Sequence, residues 1–245
     1  MGRDSREDTA YVLHRHAWKE SSYILRVFGR AQGKFSLVAR GVRGGRGRHA
    51  VLPGQPCLLE WQPGRELGRL LSLQTQGPPL APLQGEAWWA AQYLAELLLH
   101  ALREDEPAPE LFDLYGLCLQ ALREAQTGVA VPLRLFEWGL LQALGLAADL
   151  ERDSGGARLQ PEHCYRLVAD EGLRPDAVQG LPGAQWQALA AGRVDAALAQ
   201  ALRRPLQAQL AAVVPFERLH SRREWQAARA LARAHAGEGG AGDVD

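Results

Sequence analysis

The stretch YILRVFGRAQGKFSLVARG, residues 23–41, sets two runs of β-formers on either side of a glycine-bearing turn. YILRVFG (23–29) is rich in β-branched and aromatic side chains and stops at Gly29. GRAQGK reads as the turn. FSLVARG (35–41) alternates, with Phe35, Leu37 and Ala39 on one face and Ser36, Val38 and Arg40 on the other.

The pattern extends both ways. Upstream, YVLHRHA (11–17) alternates, with Tyr11, Leu13 and Arg15 on one face and Val12, His14 and His16 on the other. Downstream, CLLEWQ (57–62) and RLLSLQT (69–75) add two strands around the turn QPGRELG. Five short strands punctuated by Gly and Pro predict a small β-barrel. The five-stranded OB-fold is the commonest such barrel that binds oligonucleotides.

At GPPLAPL (77–83) the prolines end the sheet pattern. Residues 85–104, 109–125 and 131–145 follow with helical periodicity, the last with Pro132 in its first turn and Gly145 past its end. Residues 149–180, rich in Gly, Asp and Pro, read as an irregular insert with room for one small hairpin. Helical pattern returns at 183–192, 194–203, 205–214 and 221–235. The expected class is therefore α+β, an OB-fold nucleic-acid-binding domain over 9–80 followed by a mainly helical domain over 81–236. Residues 1–8 and the tail 237–245 are expected to be disordered.

The 245-residue chain has 28 Lys and Arg against 28 Asp and Glu, but the balance is uneven. Residues 1–80 hold 13 of the cations and six of the acids. A basic half beside an acidic half points to an anionic partner. No long apolar window suggests a membrane span, no apolar core suggests a signal peptide, and there is no basic amphipathic helix, so nucleic acid leads over membrane.

ARGVRGGRGRH (39–49) concentrates this charge. Gly45–Ala50 formally fits GxGxxA, but a dinucleotide site needs a helix next, and Pro53, Gly54 and Pro56 forbid one. Gly33-Lys34 is followed by Phe35, so the Walker pattern fails as well. A strand-connecting loop remains, either simply solvated or presenting Arg40, Arg43, Arg46 and Arg48 to phosphates, which guanidinium groups fork in pairs. Arg26, Lys34, Arg65 and Arg69 extend the patch if they share a barrel face. Tyr23, Phe28, Phe35 and Trp61 are the aromatic candidates for base stacking, though strand aromatics are more often core.

No catalytic constellation is present. His14 and His16 lack a third ligand, and Cys57, Cys118 and Cys164 are too scattered for a disulfide framework or a zinc knuckle. A reducing cytoplasm fits such cysteine usage. No cofactor is implied. VPLRLFEWGLLQALG (131–145) holds Arg134 and Glu137 amid apolar residues. This is either a core ion pair or a cation edging an apolar groove, the chemistry that receives a peptide ending in apolar residues and a carboxylate.

Three segments also resemble one family. YVLHRHAWKESSYILRVFGRAQGKFSLVARGVRG is similar to the start of the bacterial RecO recombination mediators, with Glu20, Ser22, Gly33, Ala39, Arg40, Gly41, Val42 and Arg43 at the family's positions. RLFEWGLLQALG (134–145) resembles its F-E-x-x-L-L-x-x-L-G helix. LHSRREW (219–225) resembles its C-terminal segment through Leu219, His220, Ser221, Arg222 and Glu224. The resemblance implies an OB-fold and a helical domain. It also implies binding of single- and double-stranded DNA, annealing of complementary strands, and help in loading RecA. The implied partners are RecR and the C-terminal tail of single-stranded DNA-binding protein, with Arg134, Phe136 and Leu140 as the tail site. The implied place is the bacterial cytoplasm, on the nucleoid when bound to DNA. Many members hold zinc with four cysteines after the LLxxLG helix. Here only Cys164 stands there, beside His163, so no metal is expected and the insert is a degenerate zinc site held by packing. A protein-interaction scaffold and an OB-fold RNA-binding protein are the alternative readings.

Overall fold

The computed structural model describes residues 5–40, 54–78, 80–124 and 128–238. Strands β1 (Arg6–Trp18), β2 (Ser22–Gly29), β3 (Gly33–Ala39), β4 (Cys57–Gln62) and β5 (Gly68–Thr75) close into a barrel in the order β1-β2-β3-β5-β4. β3 and β5 run parallel through Leu37↔Gly68 and Val38↔Arg69, and the other four pairings are antiparallel. This is the OB-fold, as the strand pattern predicts.

The barrel is filled by the inward half of each alternation, including Val12, Leu25, Val27, Phe35, Leu37, Leu59 and Trp61. The alternation of β1 is the exception. Val12 pairs with Val27, but His14 pairs with Arg26, because a bulge between them inserts an extra residue. Val12 therefore faces inward while His14 and His16 turn outward. Leu13 joins Tyr11 and Phe28 in the core shared with the helices. The expected disordered N-terminus is also shorter at its inner end. Arg6 and Glu7 pair with Trp61 and Glu60. Asp8 is buried and accepts hydrogen bonds from the Ala31 and Gln32 amides, latching the β2–β3 turn. Residues 1–4 lie outside the described residues.

The second core belongs to α1 (Gly85–Ala101), α2 (Pro109–Glu124), α3 (Ala130–Ala143), α4 (Gly183–Ala190), α5 (Ala196–Leu210) and α6 (His220–Glu238). The sequence pattern predicts two helices parted at Pro205; instead α5 runs through it. Pro205 removes one backbone donor, yet Leu198, Leu202, Leu206 and Leu210 form one unbroken buried row, and that packing outweighs the local penalty. Glu96 of α1 starts α6, its carboxylate accepting from the His220 and Ser221 amides at 3.0 Å each. The expected tail begins inside α6, which reaches Glu238; residues 239–245 lie outside the described residues.

The insert is more ordered than its composition suggests. β6 (Cys164–Val168), β7 (Gly172–Pro175) and β8 (Leu181–Pro182) form a sheet in the order β7-β6-β8. Asp153 folds the preceding loop by accepting from the Gly155 and Ala157 amides. Asp176 does the same with Val178 and Gln179. Fully buried Trp186 donates its Nε1–H to the Tyr165 carbonyl at 3.0 Å. Two Asx turns and one Trp thus hold the segment in which the resemblance places zinc for many RecO mediators.

The barrel is fastened to the helices. Tyr11 packs on Phe112 and Tyr115, and Phe28 packs on Phe112, with ring centroids 4.9–5.5 Å apart. Gly116 leaves room for the Tyr11 hydroxyl, which lies 2.7 Å from where a Cβ would stand. Arg123 Nη2 donates to the Gly54 carbonyl at 2.7 Å and Nε to that of Ala81, so α2 is tied both to the segment before β4 and to the linker between β5 and α1.

Burial pushes the Cys57 and Cys118 thiols up to about 12, whereas Cys164 is only half-buried. A thiol reagent at neutral pH is therefore expected to label Cys164 in the native protein, and the other two only on unfolding. Three equally fast native thiols would contradict this packing.

Candidate functional site

The outer face of the barrel is divided. Its lower half, Tyr11, Leu13, Phe28 and Lys34, lies against the helices. The upper half is ordered by the β1-β2-β3-β5 register into three cross-strand rows. His14, Arg26 and Ser36 form the first, and His16, Ile24, Val38 and Arg69 the second. Trp18 and Ser22 begin the third, and Arg40 follows Ala39, whose partner Tyr23 is next to Ser22, so continuing the register sets Arg40 at the end of this row. No Asp or Glu stands in these rows. Thus Arg26, Arg40 and Arg69, three residues far apart in sequence, share one surface.

The remaining predicted cations fare differently. Lys34 is buried, and its Nζ donates to the Leu99 carbonyl at 2.8 Å, with Glu104 at 3.8 Å. Burial lowers its pKa against the opposing pull of Glu104. It is a fastener of α1 to the barrel and leaves the list of DNA contacts. Arg26 is half-exposed and lies 3.6 Å from Glu104, so part of its charge is answered by the helical domain. Arg65, in the β4–β5 turn, shares a groove with Arg6 and Arg26 but also with Glu66, Glu104 and Asp105. Arg43, Arg46 and Arg48 lie outside the described residues. Desolvation lowers the His14 pKa, and neighbouring His16 and Arg26 add to the effect.

Of the aromatic candidates, Phe28, Phe35 and Trp61 are core, and Phe35 stacks on Trp61 at 4.6 Å. Tyr23 is half-buried under the Arg15 guanidinium, 5.7 Å from the ring centre. Trp18, which the strand pattern passes over, is exposed. It follows the last alternating residue and carries no periodic signal of its own.

A second site lies among the helices. A cavity of about 110 Å³ is lined by Tyr93, Val129, Ala130, Leu133, Ala199 and Trp225, with Arg134, Arg203 and Arg222 around it. Beneath it Arg134 Nη2 and Tyr93 Oη both donate to Glu137 Oε1, at 2.8 and 2.7 Å. Burial raises the Glu137 pKa, opposed chiefly by Arg134. Arg134 is thus a member of a core ion pair and also part of the pocket's lining. Phe136 and Leu140, however, are fully buried and do not line it. At about 100° per residue, Phe136 lies roughly 200° around α3 from Arg134, whereas Ala130 and Leu133 share the pocket's side. Arg203 of α5 and Arg222 of α6 reach the pocket only through the assembled bundle, and nothing in their local sequence marks them.

Residues 4–78 match the family model for the N-terminal part of recombination protein O, and residues 82–211 match that for its C-terminal part. A DNA repair protein RecO from a Polaromonas species is 40% identical over 199 residues, 78% of this chain and 80% of the relative. That of Alkalilimnicola ehrlichii is 40% identical over 191 residues, 78% and 74% of the two chains. That of Laribacter hongkongensis is 35% identical over 198 residues, 79% and 81%.

Proposed function

Since the chain belongs to the recombination protein O family, whose members act in DNA repair as mediators rather than enzymes, we propose that it binds single- and double-stranded DNA on its barrel, anneals complementary strands and helps load RecA onto strands coated by single-stranded DNA-binding protein. The observation that carries this reading is the upper face whose strand rows bear Arg26, Arg40 and Arg69 and no acid, Glu104 of the helical domain answering Arg26 alone of the three. Two strands laid on such a face have their phosphates neutralised, their repulsion falls, and complementary bases can meet. Phosphate contacts of this kind fix position without reading sequence, which suits a mediator acting on any strand.

The three arginines around the helical pocket supply the other half of the proposal. An apolar floor rimmed by guanidinium groups fits an acidic peptide ending in an apolar residue and its carboxylate, the chemistry of the tail of single-stranded DNA-binding protein. RecR is the further proposed partner, and the bacterial cytoplasm, on the nucleoid when bound to DNA, is the proposed place. Among the described residues no helix is long and apolar enough to cross a membrane.

The test is strand annealing. Arg40→Ala with Arg69→Ala is expected to slow the annealing of complementary fluorescent oligonucleotides at least about tenfold, since two charge-assisted phosphate contacts are lost. Far-ultraviolet circular dichroism should stay unchanged. Annealing at the wild-type rate in this variant would remove the upper face from the mechanism.

A further inference from the structure

Trp18 is the one aromatic side chain among the described exposed large hydrophobics, at 42% exposure. It closes β1 at the tip of the β1–β2 hairpin, paired with Ser22 and followed by Lys19 in the left-handed region at φ 54°. A Trp in this position leaves apolar ring surface in water that ordinary folding would bury. Its surroundings indicate what covers it. Its row continues through Ser22 to Arg40, about two strand spacings or roughly 10 Å away. The adjoining row adds His16 and Arg69. Glu20 shares the hairpin turn, but the strand rows beside the indole carry cations, and an indole beside cations is the combination that holds an unpaired base by its face and the neighbouring phosphates by their charge.

We propose that Trp18 is a base-stacking platform that gives the upper face a preference for single strands. The inference rests on the DNA-binding reading above and adds the strand type to it. In a duplex each base face is already covered by its neighbours, so the indole has nothing to stack on unless pairing is broken. In a single strand the faces are available, and stacking does not depend on which base is present. Arginine contacts to phosphate serve both forms alike. The two kinds of residue therefore make separable contributions: Arg40 and Arg69 to all DNA, Trp18 to unpaired DNA.

The experiment measures the binding of full-length protein to an oligothymidylate and to a blunt duplex of equal length, for Trp18→Ala, Trp18→Phe and the Arg40→Ala/Arg69→Ala variant. Trp18→Ala is expected to weaken oligothymidylate binding by a factor of about 5 to 150, the range for one stacked base, and to leave duplex binding unchanged. Trp18→Phe should keep most of the affinity but lose the part of the fluorescence quenching that oligothymidylate causes through Trp18. The arginine variant should weaken both ligands. Unchanged oligothymidylate binding in Trp18→Ala, with the arginine variant impaired, overturns the proposal while sparing the DNA-binding reading. It would point to a protein partner on the indole instead. Equal loss on both ligands in Trp18→Ala overturns it too, since stacking on unpaired bases predicts a difference. If no variant affects either ligand, the DNA-binding reading of the face fails, and the platform with it.

Discussion

Arg134→Ala is expected to lower the stability of the whole helical domain by about 3–5 kcal/mol, the usual cost of removing one partner from a buried ion pair. Arg134 is 3% exposed and Glu137 fully buried, so the variant leaves a carboxylate inside the bundle that has lost its cation and keeps the Tyr93 hydroxyl as a donor. For a chain of this size that corresponds to a fall in Tm of roughly 10 °C. The sign of the pH dependence follows from Glu137. Burial already holds its pKa above the ordinary value in the folded protein, and losing the guanidinium raises it further. A folded carboxyl with a raised pKa binds more protons than the unfolded one, so the deficit shrinks as pH falls and widens as pH rises through the folded pKa. Arg134→Leu with Glu137→Leu should recover most of the loss, because an apolar pair of similar bulk needs no desolvation. Arg203→Ala separates stability from binding. Arg203 is exposed at the pocket rim and the smallest of the contributors that favour the ionised Glu137, so its loss should lower Tm far less than that of Arg134 while weakening a peptide that ends in acidic residues and an apolar carboxylate. Thermal unfolding of these variants between pH 5 and 8 checks the set. A stable Arg134→Ala protein would show that Glu137 is not buried as a charged group.

The second large effect is at the junction of the two domains. Gly33 adopts φ +79°, and a Cβ there would meet the Glu106 carbonyl oxygen at 2.1 Å and its carbon at 2.5 Å. Gly33→Ala thus combines a left-handed backbone penalty with a clash against backbone that cannot rotate away. The neighbouring bonds depend on that contact, since the Asp105 amide donates to the Lys34 carbonyl at 2.8 Å and Lys34 Nζ to that of Leu99. A loss of at least about 2 kcal/mol is expected, with faster hydrogen exchange at the Asp105 amide. Gly145 provides the control. It has φ +68° with nothing within 4 Å of its Cβ position, so Gly145→Ala carries the backbone penalty alone, about 1 kcal/mol. Equal losses at the two glycines would mean that the 104–106 segment yields freely.

What the sequence discloses here depends on whether a residue's surroundings are local. The five strands are legible because alternation and glycine turns are local signals, and Phe35, Leu37 and Ala39 fall inward as their parity says. The bulge at Val12–His14 breaks that parity without a glycine or proline to announce it. The burial of Lys34 is not legible, because a lysine opening a strand is ordinarily solvated and only the arrival of α1 covers it. Phe136 and Leu140 are a different case. The helical angle, a local property, puts them on the side of α3 away from Arg134, so residue spacing by itself separates them from its pocket. Arg203 and Arg222 carry no such local signal, since three helices must pack before they converge. The gathering of Arg40 and Arg69 depends on the parallel β3–β5 pairing, which follows from the barrel topology rather than from either strand.

The central claim is that the upper barrel face is a phosphate-binding surface. Its most direct test is the salt dependence of oligothymidylate affinity for the wild type and for Arg40→Ala with Arg69→Ala. Counterion release predicts a straight fall of log K with log salt, at about −0.7 for each phosphate contacted, and a slope shallower by about 1.4 in the double variant. A wild-type affinity indifferent to salt, or equal slopes for the two proteins, would contradict it.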